Sequence, residues 1–445
     1  MKQRILEHVA RSRGAFALSK ARIPAGLVAN STDFQSDAAG FVLADIAVDG
    51  DVFLGVSPPG TAPADALDLG GALVWPTFVD MHTHLDKSHL GRRVQNPDRT
   101  LLGAVGATRG DHANWTEEDL RGRATFALRC AYAHGTSAMR SHLDALGPQS
   151  GAVWRVMTEL RREWAARIGL QFVAMAPIGF YLDDGAAAFA AKAAEHGALL
   201  GGVTKLIGVP PERQAETLSR SLAALFDLAV AHDLDIDLHV DESLDPQADT
   251  LLAVAVATIR HGYEGRVTCG HCCSLSVMSD ARKQAILEQC AEAGIGLVSL
   301  PLVNSWLQDR HASSTPLRRG VAPLQEAAAL GIPVALASDN CGDPFHPFGD
   351  YDLLEVLRET TRTAHLEEVT PGWAAAVTTV PAARMGRDVT LRAGATADLV
   401  LFSARSMSEL LSRPQSDRVV LRAGRPVNSE LPPYSDLDRL FAIGQ

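Results

Sequence analysis

No run of apolar residues in this 445-residue chain approaches the roughly 20 residues that a membrane-spanning helix needs. The opening residues, Met1 to Glu7, also lack the apolar core of a secretory signal, so the expectation is a cytoplasmic protein. The formal charge of -11 comes without an Arg/Lys-rich tail or stripe. That removes the electrostatic footprint of a nucleic-acid binder and leaves a small molecule as the expected partner. The 6 cysteines, Cys130, Cys269, Cys272, Cys273, Cys290 and Cys341, are few for the length, and reduced thiols fit them better than a disulfide frame. Low-complexity segments and internal repeats are missing too. What is present, 47% hydrophobic residues, is ample for a large core with a smaller appended domain.

The stretch from Val74 to Asp86 organises the rest. It is a β-branched and aromatic run that ends in His82 and His84, alternate positions that share one face of a strand. Two imidazoles aimed at one point make half of a divalent-metal site.

Upstream, residues 1–71 read as short antiparallel strands broken by Gly and Pro, for example Gly40–Asp49 and Asp51–Val56. From residue 72 to 386 the texture becomes an alternation of apolar runs and longer helical segments. Eight runs qualify as strands: Val74–Asp86, Thr136–Ala145, Ile168–Ile178, Leu199–Gly208, Leu234–Ser243, Gly265–Leu275, Ile295–Asn304 and Ile332–Asn340. Helical segments such as Glu117–Ala133, Pro211–His232 and Asp280–Ala293 separate them. The pattern predicts an α/β fold, a (β/α)8 TIM-like barrel. Helical texture continues beyond Leu353 through Glu368 and over Trp373–Gly386. Residues 387–445 return to short strands, predicting a small β-sandwich domain formed with the N-terminal segment. Barrel enzymes of this size often associate, which leaves room for a homo-oligomer, but no strip of the sequence marks an interface.

In such a barrel the catalytic groups sit at the C-terminal ends of strands, and the ionisable residues fall there. The fifth strand carries His239 with Glu242 three residues on, a carboxyl placed to shuttle a proton. The sixth ends in His271 and the eighth in Asp339, whose burial at the end of an apolar strand calls for a cation or a partner. His82, His84, His239 and Asp339 together supply the ligands of a catalytic Zn or Fe(II) site with an open position. Cys269, Cys272 and Cys273 beside His271 read as core filler, because alternation sends neighbouring side chains to opposite faces.

The ordered set of motifs, His82 to Asp86, Arg140 to Asp144, His239 to Glu242, Gly270-His271, Pro301 to Asn304, Leu307 to Arg310, Arg318 to Gly320 and Ser338 to Pro344, resembles the amidohydrolase superfamily, and within it bacterial cytosine deaminase. The similarity runs from Pro76 through Val400. It implies hydrolytic release of ammonia from a small nitrogen heterocycle, such as a pyrimidine or triazine, by hydroxide generated on one divalent metal. His82, His84, His239 and Asp339 would hold the metal. His271 would orient the hydroxide, Asp339 would accept its proton, and Glu242 would protonate the ring nitrogen and the departing amine.

The chain departs from that family at substrate-facing positions. No glutamine aligns within Ala174–Phe180, Asn340 stands where the family has a second aspartate, and Phe345 where it has tryptophan. Gln308 is the preferred substitute reader, with Asn340 and Phe345 also facing the substrate. Asp86, His142 and Asp144 are expected as outer support for the metal ligands. Lys205, near the end of the fourth strand, keeps a second reading open: in binuclear amidohydrolases a carbamylated lysine there bridges two metals, and the reaction is ring opening of a cyclic amide. A non-catalytic metal-binding barrel is the third reading, against which the pair Glu242 and His271 speaks.

Overall fold

The run from Val74 to Asp86 divides at Pro76. Its first part, Val74–Pro76, pairs antiparallel with Leu399–Leu401, while Phe78–Thr83 enters a different sheet. Proline cannot donate to a ladder, and here it marks the point where one strand leaves a sheet and the next begins. The computed structural model describes residues 1–12, 14–311, 313–366 and 370–441.

Phe78–Thr83 is β1 of an eight-stranded sheet. It is followed in chain and sheet order by β2 (Thr136–Asp144), β3 (Gly169–Pro177), β4 (Leu199–Val203), β5 (Ile236–Val240), β6 (Val267–His271), β7 (Gly296–Ser299) and β8 (Val334–Leu336). Each expected strand is present, and helices alternate with strands from β2 onward. The helix Pro211–His232 has its expected bounds, and Glu117–His134 and Asp280–Glu292 differ from expectation by one residue. A parallel bridge between Thr83 and Asp339, with the Asp339 N–H donating to the His82 carbonyl at 2.9 Å, joins β1 to the segment after β8. The fold is a (β/α)8 barrel.

The chain forms two compact units. One comprises Met81–Leu128, Met139–Tyr351 and Pro433–Gln445. Its barrel strands are buried along most of their length because both faces are covered. Their polar residues include a layer within the barrel, where the Arg140 guanidinium, 1% exposed, donates to Asp237 at 2.6 Å and to Gln171 at 2.7 Å.

The other unit comprises Met1–Asp80, Arg129–Ala138 and Asp352–Pro432. It holds two four-stranded sheets. The first contains Ala15–Pro24, Phe41–Asp49, Val52–Ser57 and Leu67–Asp68; the second contains Val74–Pro76, Leu399–Leu401, Val419–Arg422 and Arg425–Pro426. The two ends of the chain thus build separate sheets, joined through the single bridges Val28–Leu391 and Val52–Thr396. Trp75 anchors the core of this unit, edge-on to Phe402 at 5.6 Å and to Phe78 at 6.3 Å.

Two helices depart from the sequence expectation. Lys2–Arg11 is helical where short strands were expected, and it buries Ile5 and Val9, one helical turn apart. Leu101–Asp111 is a helix that the strand count passed over. The helix after Asp352 is seen over Leu353–Ala364, and Glu368 lies outside the described residues. Among the described residues, no helix is long and apolar enough to cross a membrane.

Asp352 and Arg418 form a buried bidentate pair at 2.6 and 2.8 Å in the smaller unit. Burial opposes charge on Asp352, but the Arg418 guanidinium outweighs it and holds the carboxyl down at about 2. Asp352→Asn leaves a buried guanidinium without its counter-charge, so a cost of about 3–5 kcal/mol is expected in urea unfolding. Because the folded carboxyl is depressed, its contribution is complete above the unfolded value near 4 and disappears as pH falls towards about 2. The wild-type acid limb should therefore be steeper than that of the variant over this range.

Candidate active site

The metal-competent side chains reach one point because of where their strands stop. His82 lies in β1 and His84 one residue beyond it, on the same side; His239 is in β5, and Asp339 follows β8. Asp339 has φ +61° and His271 φ +70°, left-handed conformations that non-glycine residues rarely adopt. Such strain costs about 1–3 kcal/mol each and is held by its surroundings, as at sites where side chains are aimed for chemistry.

His82 Nε2 lies 3.2 Å from His239 Nε2, which lies 3.3 Å from His84 Nε2. Asp339 Oδ1 is 3.2 Å from His84 Nε2 and 3.7 Å from His82 Nε2. A tetrahedral ion with bonds of ~2.0–2.1 Å would separate its ligand atoms by ~3.3–3.4 Å. Both Asp339 oxygens are buried without a hydrogen-bond donor. A carboxylate in that state is costly unless a cation faces it. Burial holds His82 and His239 well below the usual imidazole range, with neighbouring imidazoles adding to the effect, so both rings are neutral and have lone pairs to donate. His84 Nδ1 lies 3.2 Å from the His142 carbonyl, which turns its Nε2 to the cluster as an acceptor. His82, His84 and Asp339 form a group that fits a divalent ion, and His239, close to both imidazoles, would be its fourth donor.

Glu242 lines the same cavity as these ligands. Burial, reinforced by the Asp339 charge and opposed by Lys205, raises its carboxyl well above the usual carboxylate range. Its Oε1 is 3.6 Å from His271 Nδ1. Asn304 Nδ2 donates to that same nitrogen at 2.9 Å, which leaves the proton of the neutral ring on Nε2. Burial lowers His271 to about 4.

His142 was expected as outer support, and the structure places it inside the histidine cluster. Its ring lies 3.9 Å from that of His82, and its nitrogens form a further candidate metal group with His82 and His239. Asp86 accepts from the Asp144 N–H at 2.7 Å, and Asp144, which also lines the cavity, accepts from the buried Lys87 ammonium at 2.8 Å.

The substrate-reader expectations divide. Asn340 and Phe345 line the cavity, Asn340 held by Asp343 at 2.6 Å. Gln308 does not line it; its amide instead donates to the Glu242 carbonyl at 3.4 Å. Lys205 is exposed and lines the cavity. The cysteines beside His271 are buried, and burial pushes the Cys269, Cys272 and Cys273 thiols far up, as suits core filler. The cavity encloses about 470 Å³. Its wall at the end of β3 is Met175, Ala176 and Pro177, which offer no polar side chain to read a ring edge. Sequence reading missed the wall supplied by Leu101, Val105 and Arg109; Thr100, whose side chain caps the first turn of that helix by accepting from the Gly103 N–H, was the available signal.

Gly270 lets the His82 ring lie against β6: an added Cβ would come within 2.9 Å of its Cε1. Because that ring is fully buried and cannot swing away, Gly270→Ala is expected to lower affinity for Zn(II) by about 10–100-fold, the range for disturbed ligand support. Competition with a metal-buffering chelator checks this, and unchanged affinity would place the ion away from His82.

Comparison with known proteins agrees with this geometry. Residues 182–428 match the model of the amidohydrolase family. The chain is 47% identical over 432 residues to the pterin deaminase of Rhizobium rhizogenes, covering 96% of this chain and 97% of the relative. The 5-methylcytosine deaminase of Klebsiella pneumoniae, crystallised with 5-fluorocytosine, superposes with a TM-score of 0.80 at 25% identity, covering 94% of this chain and 98% of that one. The N-isopropylammelide isopropylaminohydrolase of Burkholderia multivorans gives 0.72 at 26% identity, with coverages of 94% and 100%. The chain belongs to the amidohydrolase family and is a hydrolase of carbon–nitrogen bonds.

Proposed function

We propose that this chain is a mononuclear, metal-dependent deaminase that releases ammonia from a cyclic amidine, with a bicyclic 2-amino-4-oxopteridine as the preferred ring. The observation that carries the reading is the juxtaposition of a four-donor set with a protonated carboxyl, Glu242, on one cavity wall. The pteridine preference rests on the 47% identical pterin deaminase and on the apolar wall at the end of β3, which lacks the glutamine of cytosine deaminases.

His82, His84, His239 and Asp339 would hold Zn or Fe(II). When bound, such an ion supplies water of lowered pKa near neutrality. Asp339, which has a second oxygen beyond the one facing the histidines, accepts the proton that the attacking water loses. Glu242 gives its proton to the ring nitrogen as the new C–O bond forms at the amine-bearing carbon. Glu242 then takes the proton held by Asp339 and passes it to the exocyclic amine; the C–N bond breaks to release ammonia as Asp339 takes the proton left on the new hydroxyl, so that the carbonyl forms, and that proton returns Glu242 to the acid form. His271, with its proton on Nε2, orients the attacking oxygen. The exposure of Lys205 favours one metal over two, because a carbamate bridging two ions would lie among their ligands.

Ammonia release across pterin, cytosine, 5-methylcytosine and an aminotriazine tests the substrate. Pterin is expected to exceed cytosine in kcat/KM by about 100-fold, the scale at which a missing polar reader tells. Glu242→Gln is expected to lower kcat by about 10²–10⁴-fold with metal content unchanged. Full turnover by that variant contradicts the proton role, and cytosine outpacing pterin contradicts the substrate.

A further inference from the structure

The carboxyl that the proton traffic depends on has little holding it directly. Among the described residues no hydrogen bond reaches the Glu242 side chain, and His271 Nδ1 stands 3.6 Å from its Oε1. Glu242 also lies beyond the end of β5, where the ladder that fixes His239 has stopped. Its aim is therefore only as firm as the backbone of residues 241 to 243.

Asp241 turns out of the strand with φ +46°, a left-handed conformation that its surroundings must hold. Its two carboxylate oxygens take different donors at the start of the helix Thr250–Arg260: Oδ1 accepts the Thr250 hydroxyl at 2.6 Å and Oδ2 the Leu251 N–H at 3.0 Å. A carboxylate only accepts, so the Thr250 proton is committed to Asp241, and the Thr204 hydroxyl, 2.7 Å from Thr250 Oγ1, is the donor in that pair. Thr204, in the segment after β4, also donates its N–H to the His239 carbonyl at 3.0 Å. From the segment after β6, the buried Ser274 donates its N–H to the Asp241 carbonyl at 3.2 Å and its hydroxyl to the Ser243 carbonyl at 2.8 Å. The ties on the two sides of Glu242 thus meet at Asp241, its side chain bound to the helix and its carbonyl to Ser274.

We propose that Asp241 is a positioning residue for the deamination: its carboxylate, locked to Thr250 and Leu251, holds the turn that aims the Glu242 carboxyl at the substrate ring. Asp241 does not line the cavity, so its effect passes through Glu242. This rests on the proton role of Glu242 and adds the group that gives that role its geometry.

The test places Asp241→Ala and Asp241→Asn in the wild type and in Glu242→Gln, with kcat, KM, metal content and thermal melts read on each. In the wild type, Asp241→Ala is expected to lower kcat by about 10–100-fold, the scale for misplaced catalytic groups, with KM and metal content unchanged. In Glu242→Gln the same substitution should cost almost nothing more, because residues that act as a unit are not additive. Asparagine can accept from the Leu251 N–H and donate to Thr250, whose freed proton turns to Thr204, so Asp241→Asn should keep kcat within about fivefold of the wild type. If Asp241→Ala does not fold, Thr250→Val removes one of the two donors and should show a several-fold loss of the same kind, again absent in Glu242→Gln. An unchanged kcat in Asp241→Ala, an equal loss in both backgrounds, an Asn variant as slow as the Ala variant, or a loss that tracks lost metal overturns the positioning role. Full turnover by Glu242→Gln alone overturns the proton role itself, which is a separate outcome.

Discussion

Everything in the barrel unit is arranged around a buried carboxylate that has no donor of its own. Asp339 follows the last strand in a left-handed conformation, its backbone N–H held by the His82 carbonyl and its side chain turned to the imidazole nitrogens of His82 and His84. Left alone, that arrangement is unfavourable, since charge is removed from water and lone pairs face lone pairs. A divalent cation reverses the sign of each of those terms at once. Inside the barrel the Arg140 guanidinium has its acceptors, Asp237 and Gln171. At the donor set both Asp339 oxygens lack a donor.

This division also separates what the family fixes from what it leaves free. The ligands, Glu242 and His271 stand on strand ends or one turn beyond them, where the barrel dictates position. The outer wall comes from a helix in the connection after β1 and from the segment after β4, which can change without disturbing the sheet. A shared reaction with divergent rings is the expected consequence, and the named relatives, acting on pterin, methylcytosine and a triazine, differ in that way.

The barrel was legible because buried parallel strands read as continuous apolar runs and because their helices keep the 3.6-residue period. The four candidate metal donors stand out in the sequence because histidine and aspartate at the ends of such runs are costly to bury unless a cation or a hydrogen-bond partner meets them. The break at Pro76 was not, since Val74–Pro76 and Phe78–Thr83 form one apolar run and only pairing with Leu399–Leu401 separates them. His142 was read as support because sequence gives its strand position but not its distance from His82. Gln308 was taken for a substrate reader because a polar residue in a loop carries no sign of its target, and its amide turns to a backbone carbonyl instead. The helix Leu101–Asp111 escaped because Gly103, Gly106 and Gly110 dilute its helical signal.

The most direct measurement is anomalous diffraction at the zinc and iron edges from crystals of the metal-loaded protein. The account requires a single peak within bonding distance of His82, His84, His239 and Asp339, with Lys205 outside its ligand shell. Two peaks bridged by a modified Lys205, or a peak held by His142 in place of His84 and Asp339, would contradict it.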